Sequence, residues 1–297
     1  MTRKAALNVC LLWLAWVAII LSFQWLVTSR LEIEHPDRAV FWTESQTKPS
    51  SNQGKIYLLH PFLNRQVAWD SEYYVGIAVA GYDDPDAASV INPDTRRKIT
   101  KNYSFFPLYP YVMRIVALPL KLLSVRPLSA TILAGIVVAA LGTLAGLLAL
   151  WDLTRPYLDE DGSYRVVFYA VIFPTAFFFT MVYTEGLFIG LAFGALALCQ
   201  RGHWVWASIL GLLAAWTRAH GAALALPLLI FWLLQIKWRE PLKPQITWGW
   251  IVRGALATLP LAGYFLWRYS ALGLGWSELQ EFHFGRGLIP IGRSIEA

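Results

Sequence analysis

The chain has 297 residues, with 25 Lys and Arg against 19 Asp and Glu, a formal net charge of +6. Hydrophobic residues make up 57 % of it and charged residues 15 %, against roughly 25 % charged in an average soluble domain. That balance excludes an ordinary water-soluble domain, and its wealth of Trp, Phe, Leu and Ala excludes disorder. The two cysteines, Cys10 and Cys199, both lie in apolar runs, which argues against a disulfide framework or a Cys-based zinc site. The composition is that of an integral membrane protein.

In chain order, the first apolar run is 5–27, preceded by Arg3 and Lys4. At roughly 23 residues it exceeds the ~7–15 of a signal-peptide core, and no small-residue cleavage site follows it. It predicts an uncleaved span entering from the cytoplasm. Residues 28–104 are polar and hold no spanning candidate. Further apolar runs follow at 107–123, 127–151, 164–182, 185–200, 204–217, 222–236 and 250–272. A spanning helix needs ~20 residues, so 127–151, 164–182 and 250–272 are predicted as full spans. The shorter 185–200, 204–217 and 222–236 suit kinked or incompletely crossing helices. Segment 107–123 carries Arg114, Lys121 and three prolines, and is predicted to lie partly in the outer interface without crossing.

The positive-inside rule tests that parity. With 107–123 left outside, the cytoplasmic face holds Arg3, Lys4, Arg155, Arg165, Arg201, Lys237, Arg239 and Lys243, and the short outer loops keep only Arg218. A crossing at 107–123 would send most of those charges outside. The expected topology therefore puts segment 28–104, the 183–185 turn and Arg218 together on the non-cytoplasmic side. The inner loops account for the net charge, so a nucleic-acid partner has no support. No internal repeat or low-complexity tract is visible.

Four clusters carry chemistry. In the block Trp69 to Tyr82, Asp70, Tyr74, Ile77 and Gly81 fall on one helical face, with Asp70 at the helix start. The ordinary role of such an Asp is an N-cap accepting from first-turn amides, and that of Trp69 is an interfacial belt. Next, Ser104-Phe105-Phe106-Pro107-Leu108-Tyr109-Pro110 suits a rigid turn into a helix with Pro107 near its first position. Tyr109 there is a candidate interfacial anchor. Val182-Tyr183-Thr184-Glu185-Gly186 and Thr217-Arg218-Ala219-His220-Gly221 each place a charge at a helix end in apolar surroundings. A charge at membrane depth costs at least ~2.5–3.5 kcal/mol unless paired or hydrated, and so points to function. The competing account is that Glu185 and Arg218 pair with each other for structure alone.

Trp69-Asp70 with Tyr74, Ile77-Ala78 and Gly81-Tyr82, followed by Phe105-Phe106-Pro107-Leu108-Tyr109-Pro110, resembles the PIG-V-like mannosyltransferases. Tyr183-Thr184-Glu185 and Arg218 with Gly221 match two further blocks of that family in order, and Glu281-Phe282-His283-Phe284-Gly285-Arg286 is similar to a weaker one. The likeness departs at Ser71, where the family commonly has Gly. Family members usually continue with several more helices, so the chain is expected to be a fragment or a shortened member.

The resemblance implies an all-α, multi-pass transmembrane glycosyltransferase of GT-C type. Residues 1–297 would form one catalytic domain, and 28–104 its long first extracytoplasmic loop carrying short helices. It implies a polyprenyl-phosphate-linked sugar donor, with mannose the favoured sugar. The acceptor would be a glycan or glycolipid, the surroundings a lipid bilayer, and transfer would proceed with inversion. Asp70 would be the base that takes the acceptor proton, and Arg218 would contact the donor phosphate. Tyr74 and Tyr109 would line the sugar pocket, Trp69 would contact substrate, and Glu185 would orient Arg218 or the acceptor. No metal or other cofactor is expected, since HExxH and clustered histidines are absent and His35, His60 and His220 are scattered. The membrane would be the plasma membrane in a prokaryote or the endoplasmic reticulum otherwise, with the site on the non-cytoplasmic face. Two rival classes remain: a transporter using the same charges at a midplane site, and a non-catalytic subunit of a glycosylation complex. The long outer segment and the lack of internal pseudo-symmetry count against the transporter.

Overall fold

The computed structural model describes residues 3–30, 47–48, 57–58, 60–67, 69–84, 87, 89–92, 96–237 and 246–284. His35, Arg239, Lys243, Gly285 and Arg286, together with much of the 28–104 loop, lie outside the described residues.

Helix α1 (Arg3–Arg30) is apolar almost all round. Its Leu7, Leu11, Leu14, Ile19 and Phe23 are exposed, while Ala5, Val9 and Trp16 pack inward against Leu147, Trp151 and Val167. Such a helix is stable only with lipid on its open side. Helix α5 (Pro127–Thr154) begins at a proline, the residue best suited to a first helical position, and runs through the interior. Both are long and apolar enough to cross a membrane, as predicted for 5–27 and 127–151. They are tied by the Trp13 indole N–H, which donates to the Ala140 carbonyl at 2.9 Å.

Two of the predicted spans are broken. Segment 164–182 is not one helix: α6 (Glu160–Ile172) stops at Ile172, and a 3-10 turn (Ala176–Phe179) follows. Pro174 lies at the break. It has no N–H to continue the ladder and drives Phe173 into an extended conformation (ψ 137°). Segment 250–272 divides into α10 (Trp248–Ala257) and α11 (Leu259–Arg268), bent by 45°, with Pro260 in the first turn of the second piece. Segment 222–236 is likewise a 3-10 turn (Ala219–Leu224) leading into α9 (Ala225–Leu233). By contrast α7 (Glu185–Gln200) and α8 (Trp204–Ala215) follow the predicted short helices closely.

Helices α5 and α7 run parallel at backbone contact, and glycine is the reason. A Cβ on Gly186 would stand 2.2 Å from the Ala139 carbonyl oxygen, and one on Gly190 2.4 Å from that of Gly142. Small residues at four-residue spacing allow this approach where lipid supplies no hydrophobic drive for association. Because the pair is parallel, the Asp152–Arg201 ion pair sits at the opposite end from Glu185. Arg155 shares that end, as the expected charge topology requires.

The segment that follows α1 contributes α2 (Pro61–Gln66) and α3 (Ser71–Val79), with two short antiparallel ladders. In one, β1 (Thr47–Lys48) pairs with β2 (Tyr57–Leu58), and in the other β3 (Ser89–Ile91) pairs with β4 (Lys98–Thr100). Helix α4 (Leu108–Leu122) is amphipathic, as the interfacial reading of 107–123 expects, and packs on α3 and α5. Helix α12 (Ala271–Phe284) lies against the 3-10 turn Lys101–Ser104, and its Glu278 meets Arg97 at 3.5 Å and the Asn92 amide at 3.3 Å. One core cluster gathers Tyr74, Val75, Ala78, Tyr109, Met113, Ile132 and Val182.

Candidate active site

The site is built where α3, α4, α7 and the segment after α8 converge. It begins at Trp69, whose φ of 54° puts a bulky side chain in the left-handed region, an uncommon and costly conformation outside glycine. Trp69 is 59 % exposed and stands at the rim. Asp70 follows at the N-cap position of α3, as the sequence suggests, yet its backbone is helical (φ −66°, ψ −24°) and its side chain makes no capping hydrogen bond. The ordinary capping role is therefore absent, and the carboxylate is left open. One side of Asp70 meets solvent. The surrounding protein still pushes its pKa above the usual carboxylate range, chiefly by removing water. The Glu185 charge adds to that rise and the Arg218 charge opposes it.

Arg218 projects from the residue just before the 3-10 turn Ala219–Leu224. Its Nη1 donates to Glu185 Oε1 and to Thr184 Oγ1, the latter at 3.1 Å. Among the described residues its Nε–Nη2 edge makes no hydrogen bond, and the side chain is 36 % exposed. That open edge is the fork with which a guanidinium grips two oxygens at once. The pairing considered from sequence is thus real, but it uses one nitrogen and leaves the fork available. Glu185 Oε2 is enclosed and finds no donor among the described residues.

The aromatic wall is continuous. The Tyr74 ring meets Tyr109 edge-on at 5.3 Å, Phe105 at 5.1 Å and Tyr183 at 6.4 Å, and Phe105 stacks on Tyr73 at 4.7 Å. Tyr109 is 0 % exposed, and its hydroxyl donates to the Gly135 carbonyl at 3.0 Å. It supports Tyr74 from beneath and offers no free group to a ligand in this conformation. Tyr74 is buried, but its hydroxyl is hydrogen-bonded to Thr184. The Tyr183 hydroxyl meets the backbone of Asp70.

The structure thus brings Asp70, Tyr74, Glu185 and Arg218 together, with Tyr109 behind and Trp69 at the edge. His60 and His220 do not join them as a metal-ligating group, and no cluster of three His, Cys, Asp or Glu forms among the described residues. Sequence reasoning flagged the Tyr183-Thr184-Glu185 block but assigned nothing to Tyr183 or Thr184, because their partners are more than a hundred or several tens of residues away in the chain. It also missed Arg114. That guanidinium donates from Nε to the Ala78 carbonyl at 2.9 Å and from Nη2 to the Ile77 carbonyl at 2.8 Å. It caps the C-terminal end of the same short helix whose other end carries Asp70, and complements the negative pole there.

A carboxylate, an ion pair with an open guanidinium edge and a cluster of tyrosines gathered at the ends of apolar helices define the class: a helical membrane protein. The chain belongs to the mannosyltransferase family described as Mannosyltransferase (PIG-V), whose sequence profile matches residues 14–245. It is a glycosyltransferase of that family, and each of the site residues above lies within the matched segment. No curated protein sequence matches the chain significantly.

Proposed function

We propose that this protein transfers a mannosyl residue, with inversion, from a polyprenyl-phosphate-linked donor to a glycan or glycolipid on the non-cytoplasmic face of its membrane. The chain would act as one GT-C-type multi-pass catalytic domain, with 28–104 as its outer loop. The observation that carries this reading is an uncapped Asp70 carboxylate within electrostatic reach of Arg218, whose outward edge is free among the described residues. Asp70 accepts the proton of the acceptor hydroxyl as that oxygen forms its bond to the anomeric carbon. The bond from that carbon to the donor phosphate breaks on the opposite side, and its electron pair leaves on the phosphate oxygen. The Nε–Nη2 edge of Arg218 meets the charge that develops there, where electrostatic stabilisation contributes most. Trp69 presents aromatic surface to the sugar and acceptor with Tyr74 packed behind it, and Glu185 holds the inner side of the guanidinium. A lipid-borne donor agrees with the expected topology, because nucleotide sugars are made on the cytoplasmic side.

The test uses purified protein in lipid nanodiscs with a radiolabelled polyprenyl-phosphate mannose and a glycolipid acceptor. Transfer of label is expected, and Asp70→Asn is expected to lower it about 10²–10⁴-fold while the protein remains folded. Near-normal transfer by Asp70→Asn would remove Asp70 as the base. Label moved across a sealed bilayer without transfer would establish the transporter reading, and neither outcome in the wild type would leave a non-catalytic subunit.

A further inference from the structure

Thr184 stands at the N-cap position of α7, where a threonine ordinarily accepts from the first-turn amides. Here it makes no such bond. It is 0 % exposed, so its hydroxyl has no water to turn to. Instead the oxygen accepts from Arg218 Nη1 at 3.1 Å and is hydrogen-bonded to the Tyr74 hydroxyl. Tyr74 lies one helical turn along α3 from Asp70. A hydroxyl offers one donor and two acceptor sites, so a single side chain can serve both partners. Glu185 holds the same Nη1 from the other side.

We infer that Thr184 is a positioning residue for the reaction proposed above: its hydroxyl fixes the Nη1 side of Arg218, aims the free Nε–Nη2 edge at the donor phosphate, and links that edge to the helix that carries the base. The inference rests on that reading of the site and adds a residue to it. Two anchors are needed for a reason of geometry. A guanidinium held by Glu185 alone can rotate about that one contact, and a second contact on the same nitrogen removes the rotation. Pre-organised donors are worth more than donors that must reorganise during the reaction. The forgone cap on α7 is the local cost.

The experiment compares wild type, Thr184→Val and Thr184→Ser, each as the full chain in nanodiscs, using polyprenyl monophosphate as the binding probe and labelled transfer as the rate. Valine keeps the shape and removes the hydroxyl. Because Thr184→Val removes a buried hydroxyl with two partners, its melting temperature is expected to fall somewhat and to be restored in Thr184→Ser. Its affinity for the probe is expected to fall about tenfold, the loss of one charge-assisted contact, and kcat is expected to fall with it. Serine restores the oxygen and is expected to recover most of both. In an Arg218→Lys background, Thr184→Val is expected to add little, since the two act through one group. If the wild type binds the probe and Thr184→Val binds it equally well, the inference is overturned while the proposed function stands. If Thr184→Ser fails as badly as Thr184→Val, the hydroxyl is not the cause and the inference falls. If the wild type does not bind the probe at all, the donor class and the inference fall together.

Discussion

Asp70 and Thr184 occupy the N-cap positions of two different helices, α3 and α7, and neither side chain caps its own helix. At two other helix starts the protein uses this chemistry in the usual way. Asp159 accepts from the Gly162 N–H at 2.7 Å at the start of α6, and Thr247 from the Trp250 N–H at 3.2 Å at the start of α10. A cap is worth ~1 kcal/mol, so Asp70 and Thr184 each give up local stability at a helix start beside the Glu185–Arg218 pair.

That contrast sets opposite expectations for two aspartates. Folding raises the Asp70 carboxyl above its unfolded value, so the native protein holds this proton more tightly than the unfolded chain. Its contribution to stability is then fully present below the unfolded value and is lost as pH rises through the raised folded value. Asp70→Asn is therefore expected to melt no lower than the wild type at pH values above that folded value, while losing turnover. Asp159→Ala is expected to cost ~0.5–2 kcal/mol by losing a cap and to leave kcat unchanged. Thermal melts in nanodiscs paired with the transfer assay check both.

The pH dependence of turnover follows from the same carboxylate. A base must be ionised, so the rate is expected to climb through an acid limb displaced upward from the ordinary ~3.9 of an aspartate. Glu185→Gln removes the like charge that helps to raise it, and should move that limb to lower pH. A pH–rate profile at saturating donor measures this. An unmoved limb would mean that another group controls the ionisation.

Replacing Arg218 by Lys keeps the charge and loses the fork. Turnover is expected to fall by about tenfold or more, because an ammonium cannot grip two phosphate oxygens in a plane while also holding Glu185 and Thr184. Arg218→Ala should be worse in both activity and stability, since it strands the half-enclosed Glu185 carboxylate without a counter-charge. Kinetics with unchanged constants for Arg218→Lys would take the arginine out of the site.

Arg114 looks from composition like a stray charge in an apolar helix. In the structure its two donors close the last carbonyls of α3. Arg114→Leu is expected to cost about 1.5–3 kcal/mol, the value of hydrogen bonds made by a charged group. Turnover should fall as α3 loosens and Asp70 wanders. Arg114→Lys, with one point of attachment, should recover part of each, as chemical denaturation and transfer rates would report.

The close approach of α5 and α7 is equally testable. Gly186→Ala drives a methyl group to within 2.2 Å of the Ala139 carbonyl, which cannot yield without separating the helices. Since Thr184 and Glu185 directly precede Gly186, stability and turnover should fall together. Gly249→Ala meets nothing nearer than 3.9 Å, and is expected to leave both intact.

Much of the architecture was legible because membrane proteins announce it in one dimension. Apolar length marks α1 and α5, and the scarcity of charge within apolar runs makes Glu185 and Arg218 conspicuous. Hydropathy alone carries the 164–182 run past Pro174 and the 250–272 run past Pro260. A backbone that lacks one donor and restricts the preceding residue breaks a helix whatever the polarity around it.

By itself, then, the sequence determined which segments seek lipid, that an acidic and a basic side chain stand at helix ends among apolar neighbours, and which family the motifs belong to. Only the tertiary structure decided that Asp70 and Thr184 would leave their helices uncapped, that Thr184 would turn to Arg218, and that Arg114 would close α3. A polar group at a helix start has a near partner, its own amides, that can be read from adjacent letters. Its competing partner is brought in from afar by packing, here by glycine faces that let α5 and α7 touch and so carry Thr184 and Glu185 to Arg218.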